Sequence, residues 1–224
     1  TKDMLELVFK TQGKVFATPG NFNNHIGLPL SLCNFPRNCD YGIFEMGMNH
    51  AGEIEPLSKL VQPHLALITN IAPVHIEFFK NEEEIALAKA EIFTGLVEEK
   101  IALLNFDNSH FNLLKQQSRN LKTFSFGRKN GADYQILNDE IVAKLPNGEN
   151  VSYKINSSHP AIISNSIAVI ACLDLLGNDF KKGISALKNL EPKQGRGKIL
   201  EIGSVTIIDE SYNASLPSMH SGLE

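Results

Sequence analysis

Two periodicities of hydrophobic residues alternate along the chain and divide it into predicted strands and helices. Short apolar runs that end in polar loops predict strands at 14–18, 41–46, 65–69, 101–105 and 121–126. Apolar residues at helical spacing predict helices at 4–9, 29–32, 54–61, 81–96, 161–176 and 180–190. Because strands and helices alternate, the sequence predicts an α/β fold with a mostly parallel sheet flanked by helices.

The segment 134–155 has a different pattern, with shorter alternating runs. Asn138-Asp139 and Asn147-Gly148 separate these runs and are typical of tight turns. We therefore predict an antiparallel ribbon at the edge of the sheet.

A proline- and glycine-containing run at 192–197 is typical of a linker. It precedes two short strands, or one bent strand, at 199–208. The sequence therefore predicts one domain at 1–192, followed at 193–224 by a linker and the start of a second α/β domain.

Lys89 occupies an apolar position of the helix that begins near Asn81. Asn81 can cap this helix, with Glu84 three residues later as its capping-box partner. Lys89 lies four residues after Ile85 and four before Phe93, so it shares their face. Either this lysine has a chemical task, or its methylenes lie along apolar surface while its ammonium reaches water.

Polar loops follow three of the predicted strands, at 18–24, 45–49 and 70–75. Active sites of parallel sheets lie beyond the carboxyl ends of the strands. Glu45 falls inside the strand pattern 41–46, where an unpaired buried carboxylate is costly, so we expect it to have a cationic partner. A salt bridge, a position just past the strand end in water, and a metal site remain open for it.

Composition narrows the class of protein. The chain has 224 residues, of which 42% are hydrophobic and 21% charged, which is ordinary for a globular protein. The formal net charge of -4 comes from interspersed acids and bases, so no nucleic-acid partner is expected. The cysteines lack metal-site spacing and fit reduced thiols in a cytoplasmic protein. No apolar run approaches the roughly 20 residues that span a bilayer, so we expect no membrane insertion. We expect a monomer.

Several motifs in order resemble those of the Mur ligases, the ATP-dependent amide-forming enzymes of peptidoglycan precursor synthesis. They are Thr18-Pro19-Gly20-Asn21-Phe22-Asn23-Asn24, Glu45-Met46-Gly47, Thr69-Asn70-Ile71 with His75, Lys89-Ala90-Glu91-Ile92-Phe93, and Asp209-Glu210-Ser211-Tyr212-Asn213-Ala214. Each motif is weak alone, but their order and spacing are specific. The resemblance implies that 1–192 is a central ATP-binding domain and that 193–224 begins a C-terminal ligase domain.

The resemblance also implies roles for single residues. Glu45, His75 and Lys89 match the catalytic set, with Glu45 and His75 as magnesium ligands and Lys89 as a carbamylated lysine that also binds the metal. Substrate contacts are implied for Thr18, Asn21, Asn23 and Asn24, and ATP contacts for Asn70, Asn165, Arg196, Asp209 and Asn213. Plain turn chemistry is the alternative for the asparagines of the first loop, and a hinge arginine held by carbonyls is the alternative for Arg196.

Within this family, the motifs most resemble those of the member that joins D-alanyl-D-alanine to UDP-N-acetylmuramoyl-tripeptide. This implies ATP and Mg2+ as cofactors and an acyl phosphate as the intermediate. A folylpolyglutamate synthetase-like ligase and a noncatalytic nucleotide-binding or interaction module are the alternative functions.

The resemblance also makes us expect a chain that is truncated at both ends. In this family, residues like Thr1-Lys2-Asp3-Met4 directly follow a glycine-rich loop that binds the phosphates of ATP. We therefore expect the chain to lack this loop and the domain that holds the UDP end of the substrate. By itself it is expected to be inactive.

Overall fold

The computed structural model describes residues 1–73, 76–137, 142–157, 159–191, 195, 198–203, 205–209, 211 and 219. The helices are α1 (Lys2–Phe9), α2 (Gly27–Cys33), α3 (Ile54–Val61), α4 (Glu82–Ala90), α5 (Phe111–Gln117), α6 (Pro160–Leu175) and α7 (Phe180–Ile184). Short 3-10 turns span Ile76–Phe78, Glu91–Gly95 and Leu187–Asn189. None of the described helices is long and apolar enough to cross a bilayer.

The strands are β1 (Val15–Ala17), β2 (Tyr41–Ile43), β3 (Leu65–Ile68), β4 (Ile101–Asn105), β5 (Lys122–Gly127), β6 (Tyr134–Ile136), β7 (Val142–Lys144), β8 (Asn150–Ser152), β9 (Lys198–Ile202) and β10 (Val205–Asp209). Strands β3 to β8 form a six-stranded sheet in chain order. It is parallel from β3 to β6 and antiparallel from β6 to β8. Strands β1 and β2 form a separate parallel pair, and β9 and β10 form an antiparallel hairpin.

Helices cover both faces of the six-stranded sheet. In β4, Ala102 and Leu104 point to a core that α4 and α5 complete, whereas Leu103 points to a second core built with α1 and α6. This alternation explains why β4 is apolar from Ile101 to Leu104, since a strand covered on both faces has no solvent side. The α/β prediction, with its mostly parallel sheet flanked by helices, is thus confirmed.

Several boundaries differ from the prediction for identifiable reasons. The ribbon expected at 134–155 is antiparallel only from β7 onwards, because β6 continues the parallel pairing with β5. The helix predicted at 180–190 stops at Ile184 and resumes as a 3-10 turn. Gly183 lies inside α7, and glycine is a poor helix former.

The predicted strand at 41–46 is also too long, because β2 ends at Ile43. The N–H of Thr18 donates to the carbonyl of Ile43 at 2.9 Å, which is the last ladder bond. The next N–H of this segment that points towards β1, that of Glu45, donates to the hydroxyl oxygen of Thr18 at 3.2 Å. A side chain therefore replaces the strand partner, and Glu45 lies beyond the strand.

The hairpin of β9 and β10 is exposed along nearly its whole length. Its exposed apolar side chains include Ile199, Ile202, Ile207 and Ile208. Hydrophobic residues therefore face solvent on both sides of this two-stranded ribbon.

Helix α3 packs closely against the 3-10 turn Glu91–Gly95 that follows α4. The hydroxyl of Ser58 donates to the carbonyl of Ile92 at 2.5 Å. A Cβ atom at Gly95 would lie well inside van der Waals contact with the Ser58 carbonyl oxygen. Gly95 therefore permits an approach of the two backbones that any other residue would prevent.

This packing predicts that Gly95→Ala destabilises the chain. The added methyl meets main-chain atoms, which cannot move aside as a flexible side chain would, so we expect a loss of at least about 2 kcal/mol in the free energy of unfolding. Urea denaturation measures the loss. Thr94→Ala, one residue earlier on the exposed side of the same turn, is the matched control and should change stability by less than about 0.5 kcal/mol. Equal stability of the two variants would contradict the prediction.

Candidate active site

The loops that follow β1 and β2 meet at Asn23 and Glu45. The side-chain amide of Asn23 donates to Oε1 of Glu45 at 3.1 Å. The N–H of Gly47 donates to the carbonyl of Asn23 at 2.8 Å. With the bond from the Glu45 N–H to the Thr18 hydroxyl, these contacts hold the first two predicted loops together.

Lys2, in the first turn of α1, closes this arrangement. Its Nζ donates to the carbonyls of Thr18 at 2.7 Å and Gly20 at 2.5 Å, and lies 3.8 Å from Oε2 of Glu45. The Lys2 side chain is only 13% exposed, so these groups take the place of its water shell. Lys2 could not be predicted as a site residue, because nothing in a helical first turn indicates that its lysine reaches a loop 16 residues later.

Glu45 is not the buried carboxylate that the strand pattern implied. Its side chain is 46% exposed, as expected of a residue beyond the end of β2. The expected cationic partner is present and is Lys2. Because the ion pair is long and half-exposed, it contributes little to stability, and Glu45 keeps room for another ligand.

Lys89 lies in the last turn of α4, between the buried residues Ile85 and Phe93. Partial burial lowers the pKa of its ammonium, and the negative charge of Glu45 opposes that shift without cancelling it. A fully solvated ammonium would keep its ordinary pKa, so the amine of Lys89 is at least partly withdrawn from water. Lys89 and Glu45 therefore belong to one electrostatic site.

Asn70, after β3, belongs to a different set of contacts. Its side-chain oxygen accepts a hydrogen bond from the amide of Asn108 at 2.6 Å. The same amide donates to the carbonyl of Ile71 at 3.0 Å, and the amide of Asn105 donates to the carbonyl of Thr69 at 2.8 Å. Asparagines at the end of β4 and just after it thus fix the loop after β3, a function not predicted for them from the sequence.

Asp107 makes the corresponding link between β4 and β5. Its carboxylate accepts hydrogen bonds from the N–H groups of Arg128 at 2.7 Å and Lys129 at 2.9 Å. The carboxyl ends of β3, β4 and β5 are therefore joined by side-chain contacts to main-chain groups.

The other predicted site residues are exposed, partly exposed or engaged in local hydrogen bonds. Asn21 is exposed, and Asn165 lies partly exposed on α6. The side-chain oxygen of Asn24 accepts hydrogen bonds from the N–H groups of Ile26 and Gly27, at 3.1 and 2.9 Å, at the start of α2. The turn-chemistry alternative thus describes this oxygen of Asn24, while its amide nitrogen is left for other contacts.

Asp209 ends β10 and organises the chain around it. It accepts hydrogen bonds from Ser211, through both N–H and hydroxyl, and from the N–H of Gly195 at 2.8 Å. These bonds, led by the Ser211 hydroxyl, lower the pKa of the Asp209 carboxyl. His75, Arg196 and Asn213 lie outside the described residues.

The described residues contain no cluster of three or more histidine, cysteine or acidic side chains that could hold a metal ion. Glu45 with Lys89 still suits a hard cation, provided that Lys89 carries an acidic group. A carbamate on its amine would add two oxygens beside the Glu45 carboxylate, and magnesium prefers oxygen ligands. The donor set therefore fits magnesium through chemistry on Lys89.

Comparison with known proteins gives one family. Residues 1–173 match the model of the Mur ligase middle domain. The chain is 35% identical to the UDP-N-acetylmuramoyl-tripeptide--D-alanyl-D-alanine ligase of Rickettsia prowazekii, with all of this chain and 52% of the relative aligned. The Bacillus subtilis protein of the same name is also 35% identical, over all of this chain and 49% of the relative. The chain thus spans about half the length of the curated relatives it matches.

Solved structures agree with this result. A crystal structure of MurF from Acinetobacter baumannii superposes with a TM-score of 0.92 at 26% identity, over 98% of this chain and 49% of that one. The MurF ligase of Thermotoga maritima in complex with ADP superposes with a TM-score of 0.80 at 28% identity, over 99% of this chain and 52% of that one.

The desolvation of Lys89 predicts that Lys89→Met stabilises the chain. Methionine keeps an unbranched apolar side chain and removes the costly ammonium, while Glu45 retains Lys2 as its cationic neighbour. We expect the free energy of unfolding to rise by about 1 kcal/mol near neutral pH. Lys59→Met, on the exposed face of α3, is the matched control and should change it by less than about 0.5 kcal/mol.

The pH dependence has a defined sign. Because burial lowers the pKa of Lys89, the unfolded chain binds this proton more tightly than the folded chain. The unmodified chain therefore gains stability as pH rises from the lowered pKa towards the ordinary lysine value of about 10.4, and the advantage of Lys89→Met shrinks over that window. Urea unfolding in CO2-free buffer at several pH values measures this difference. An advantage that grows with pH would contradict the prediction.

Proposed function

The chain belongs to the Mur ligase family, and we propose that it carries catalytic groups for the ATP-dependent joining of D-alanyl-D-alanine to UDP-N-acetylmuramoyl-tripeptide. The observation that carries this proposal is the desolvated amine of Lys89 in the electrostatic site of Glu45, next to loops at the carboxyl ends of parallel strands. The names of the relatives support this ligation over that of a folylpolyglutamate synthetase-like enzyme.

Lys89 is proposed to react with carbon dioxide. The neutral amine attacks the carbon atom, an N–C bond forms, one C=O π bond opens, and a proton leaves to solvent. Burial favours the neutral amine that this step requires, because it lowers the pKa of Lys89. The product is an anionic carbamate with two oxygen donors, which turns an unfavourable buried cation into a metal ligand.

Glu45, His75 and the Lys89 carbamate are proposed to hold Mg2+. When bound, the ion neutralises charge on the transferring phosphoryl group and on the substrate carboxylate. Glu45 suits this role because the amide of Asn23 fixes one of its oxygens while the side chain stays half-exposed. Nζ of Lys2 lies 3.8 Å from the other oxygen, a distance that leaves space for a further partner.

The loop 18–24 is proposed to bind the muramoyl-peptide through Thr18, Asn21, Asn23 and Asn24. Support comes from its rigidity, since Lys2 binds two of its carbonyls and Asn23 is tied to Glu45 and Gly47. A loop fixed in this way orients the substrate carboxylate for activation as an acyl phosphate, which the amine of D-alanyl-D-alanine then attacks. Phosphate is the leaving group.

ATP is proposed to contact Asn70, Asn165, Arg196, Asp209 and Asn213. The ADP complex of the Thermotoga maritima relative supports a nucleotide site in this fold. We also propose that residues 1–192 form the central ATP-binding domain and that 193–224 lead into a C-terminal ligase domain. The exposed apolar hairpin of β9 and β10 supports this division, because such a surface suits a larger core. The reaction would serve cell wall biogenesis in the cytoplasm, and through it cell shape and division.

The proposal predicts that Lys89→Ala abolishes ligation in the whole protein as its gene encodes it. Changes outside the ligand shell of a metal already cost about 10- to 100-fold, so loss of a ligand should cost at least about 100-fold in kcat. Acetate or formate should restore part of the rate, because a small carboxylate can occupy the place of the carbamate. Release of phosphate in the presence of both substrates measures the rate.

Lys59→Ala is the matched control and should keep the full rate, since this lysine is exposed on α3. If Lys89→Ala kept the full rate, the carbamate role would be wrong. If the unmodified protein released no phosphate with these substrates, the ligase function itself would fail, and the noncatalytic alternative would be favoured.

A further inference from the structure

Glu91 makes an unusual set of contacts two residues after Lys89. One carboxylate oxygen accepts a hydrogen bond from the N–H of Gly52 at 2.6 Å. The other accepts from the N–H groups of Ile54 at 3.1 Å and Glu55 at 3.2 Å. A single side chain thus binds three main-chain donors at the start of α3, 36 to 39 residues earlier in the chain.

These contacts replace the capping that α3 does not provide for itself. The first N–H groups of a helix have no partner within the helix, and its dipole favours a negative charge there. The residue at the N-cap, Glu53, makes no side-chain cap bond. Its carboxylate turns back to the N–H of Asn49 at 2.8 Å and to His50. The start of α3 is therefore held by Glu91.

The contact also spans the two halves of the candidate active site. Glu91 begins the 3-10 turn that ends α4, so its backbone is continuous with Lys89. Gly52 ends the loop that starts at Glu45, and the N–H of Gly47 anchors the other end of this loop to Asn23. The carboxylate thus ties the end of the Lys89 helix to the Glu45 loop.

The packing of α3 against the 3-10 turn has other contacts besides this carboxylate. Gly95 and the bond from Ser58 to Ile92 hold the far end of the contact together. Loss of Glu91 should therefore leave the two elements packed and release only the end nearest to Lys89. The expected effect is a displaced amine rather than an unfolded chain.

We propose that Glu91 is a positioning residue that sets where the Lys89 amine stands relative to Glu45. This inference rests on the proposed function, because their separation matters only if both groups hold the same cation. Metal ligands need positions fixed to within about 0.5 Å, and changes to the residues that support them cost about 10- to 100-fold in metal affinity or activity.

The test compares Glu91→Gln with Glu84→Gln. Glutamine keeps the size of the side chain and removes the charge that binds the three N–H groups. Glu84 is the matched control, since it lies on the same helix and its carboxylate accepts a main-chain hydrogen bond from Lys80 at 3.0 Å, without reaching α3. Both variants are made in the whole protein.

Three measurements follow. The Mg2+ concentration that gives half-maximal ligation should rise at least about 10-fold in Glu91→Gln and stay unchanged in Glu84→Gln. With 13C-labelled carbon dioxide, the carbamate signal of Lys89 should weaken only in Glu91→Gln. Hydrogen exchange should become faster at the amides of Gly52, Ile54 and Glu55, with the midpoint of thermal unfolding little changed.

Equal Mg2+ dependence and equal carbamate signals in the two variants would overturn the inference, even if Glu91→Gln unfolded earlier. Should Glu91→Gln fail to fold, hydrogen exchange in the unmodified protein still tests the inference. Unprotected amides at Gly52, Ile54 and Glu55 would mean that their bonds to Glu91 do not form, and the inference would fail. Lys89→Ala separates the two proposals. If it loses ligation while Glu91→Gln behaves like its control, the inference about Glu91 fails and the function stands.

Discussion

The packing of α4 and its 3-10 extension against the sheet and α3 is the constraint on which the candidate site depends. Ile85, Phe93 and Leu96 belong to the core beneath β3 and β4, so their face of the helix is fixed by apolar burial. Lys89 shares this face and must lie where that packing puts it. The Lys89 ammonium is thus held in a partly buried position, because the burial of the surrounding apolar side chains outweighs the cost of desolvating one charge.

The Glu45 carboxylate lies 3.8 Å from Nζ of Lys2, and its negative charge also acts on Lys89, whose pKa it raises against the larger effect of burial. Two ammonium groups therefore compete for one anion. The proposed carbamate on Lys89 would end this competition and leave Lys2 as the cation beside Glu45. Its contacts with the carbonyls of Thr18 and Gly20 give Lys2 a place that does not depend on which charge Lys89 carries.

Features that depend on neighbouring residues could be predicted from the sequence. The cap of α4 is one, since Asn81 accepts from the N–H of Glu84 at 3.0 Å as its motif indicates, and the buried strand β4 is another. Features that depend on distant residues could not. The length of β2 is decided by the hydroxyl of Thr18, just past the end of β1. The partner of Glu91 is set by the approach of α3, which no local pattern encodes. The family motifs supplied the residues of the candidate site, while their contacts came from the fold.

The hairpin of β9 and β10 has a practical consequence for work with this chain. A two-stranded ribbon with isoleucines on both faces offers unpaired strand edges and apolar surface together, which are the ingredients of self-association. Protein concentration, more than temperature, should then determine how soon the chain aggregates in solution. Salts that strengthen apolar contacts should make aggregation faster, and charged substitutions at the exposed isoleucines should make it slower.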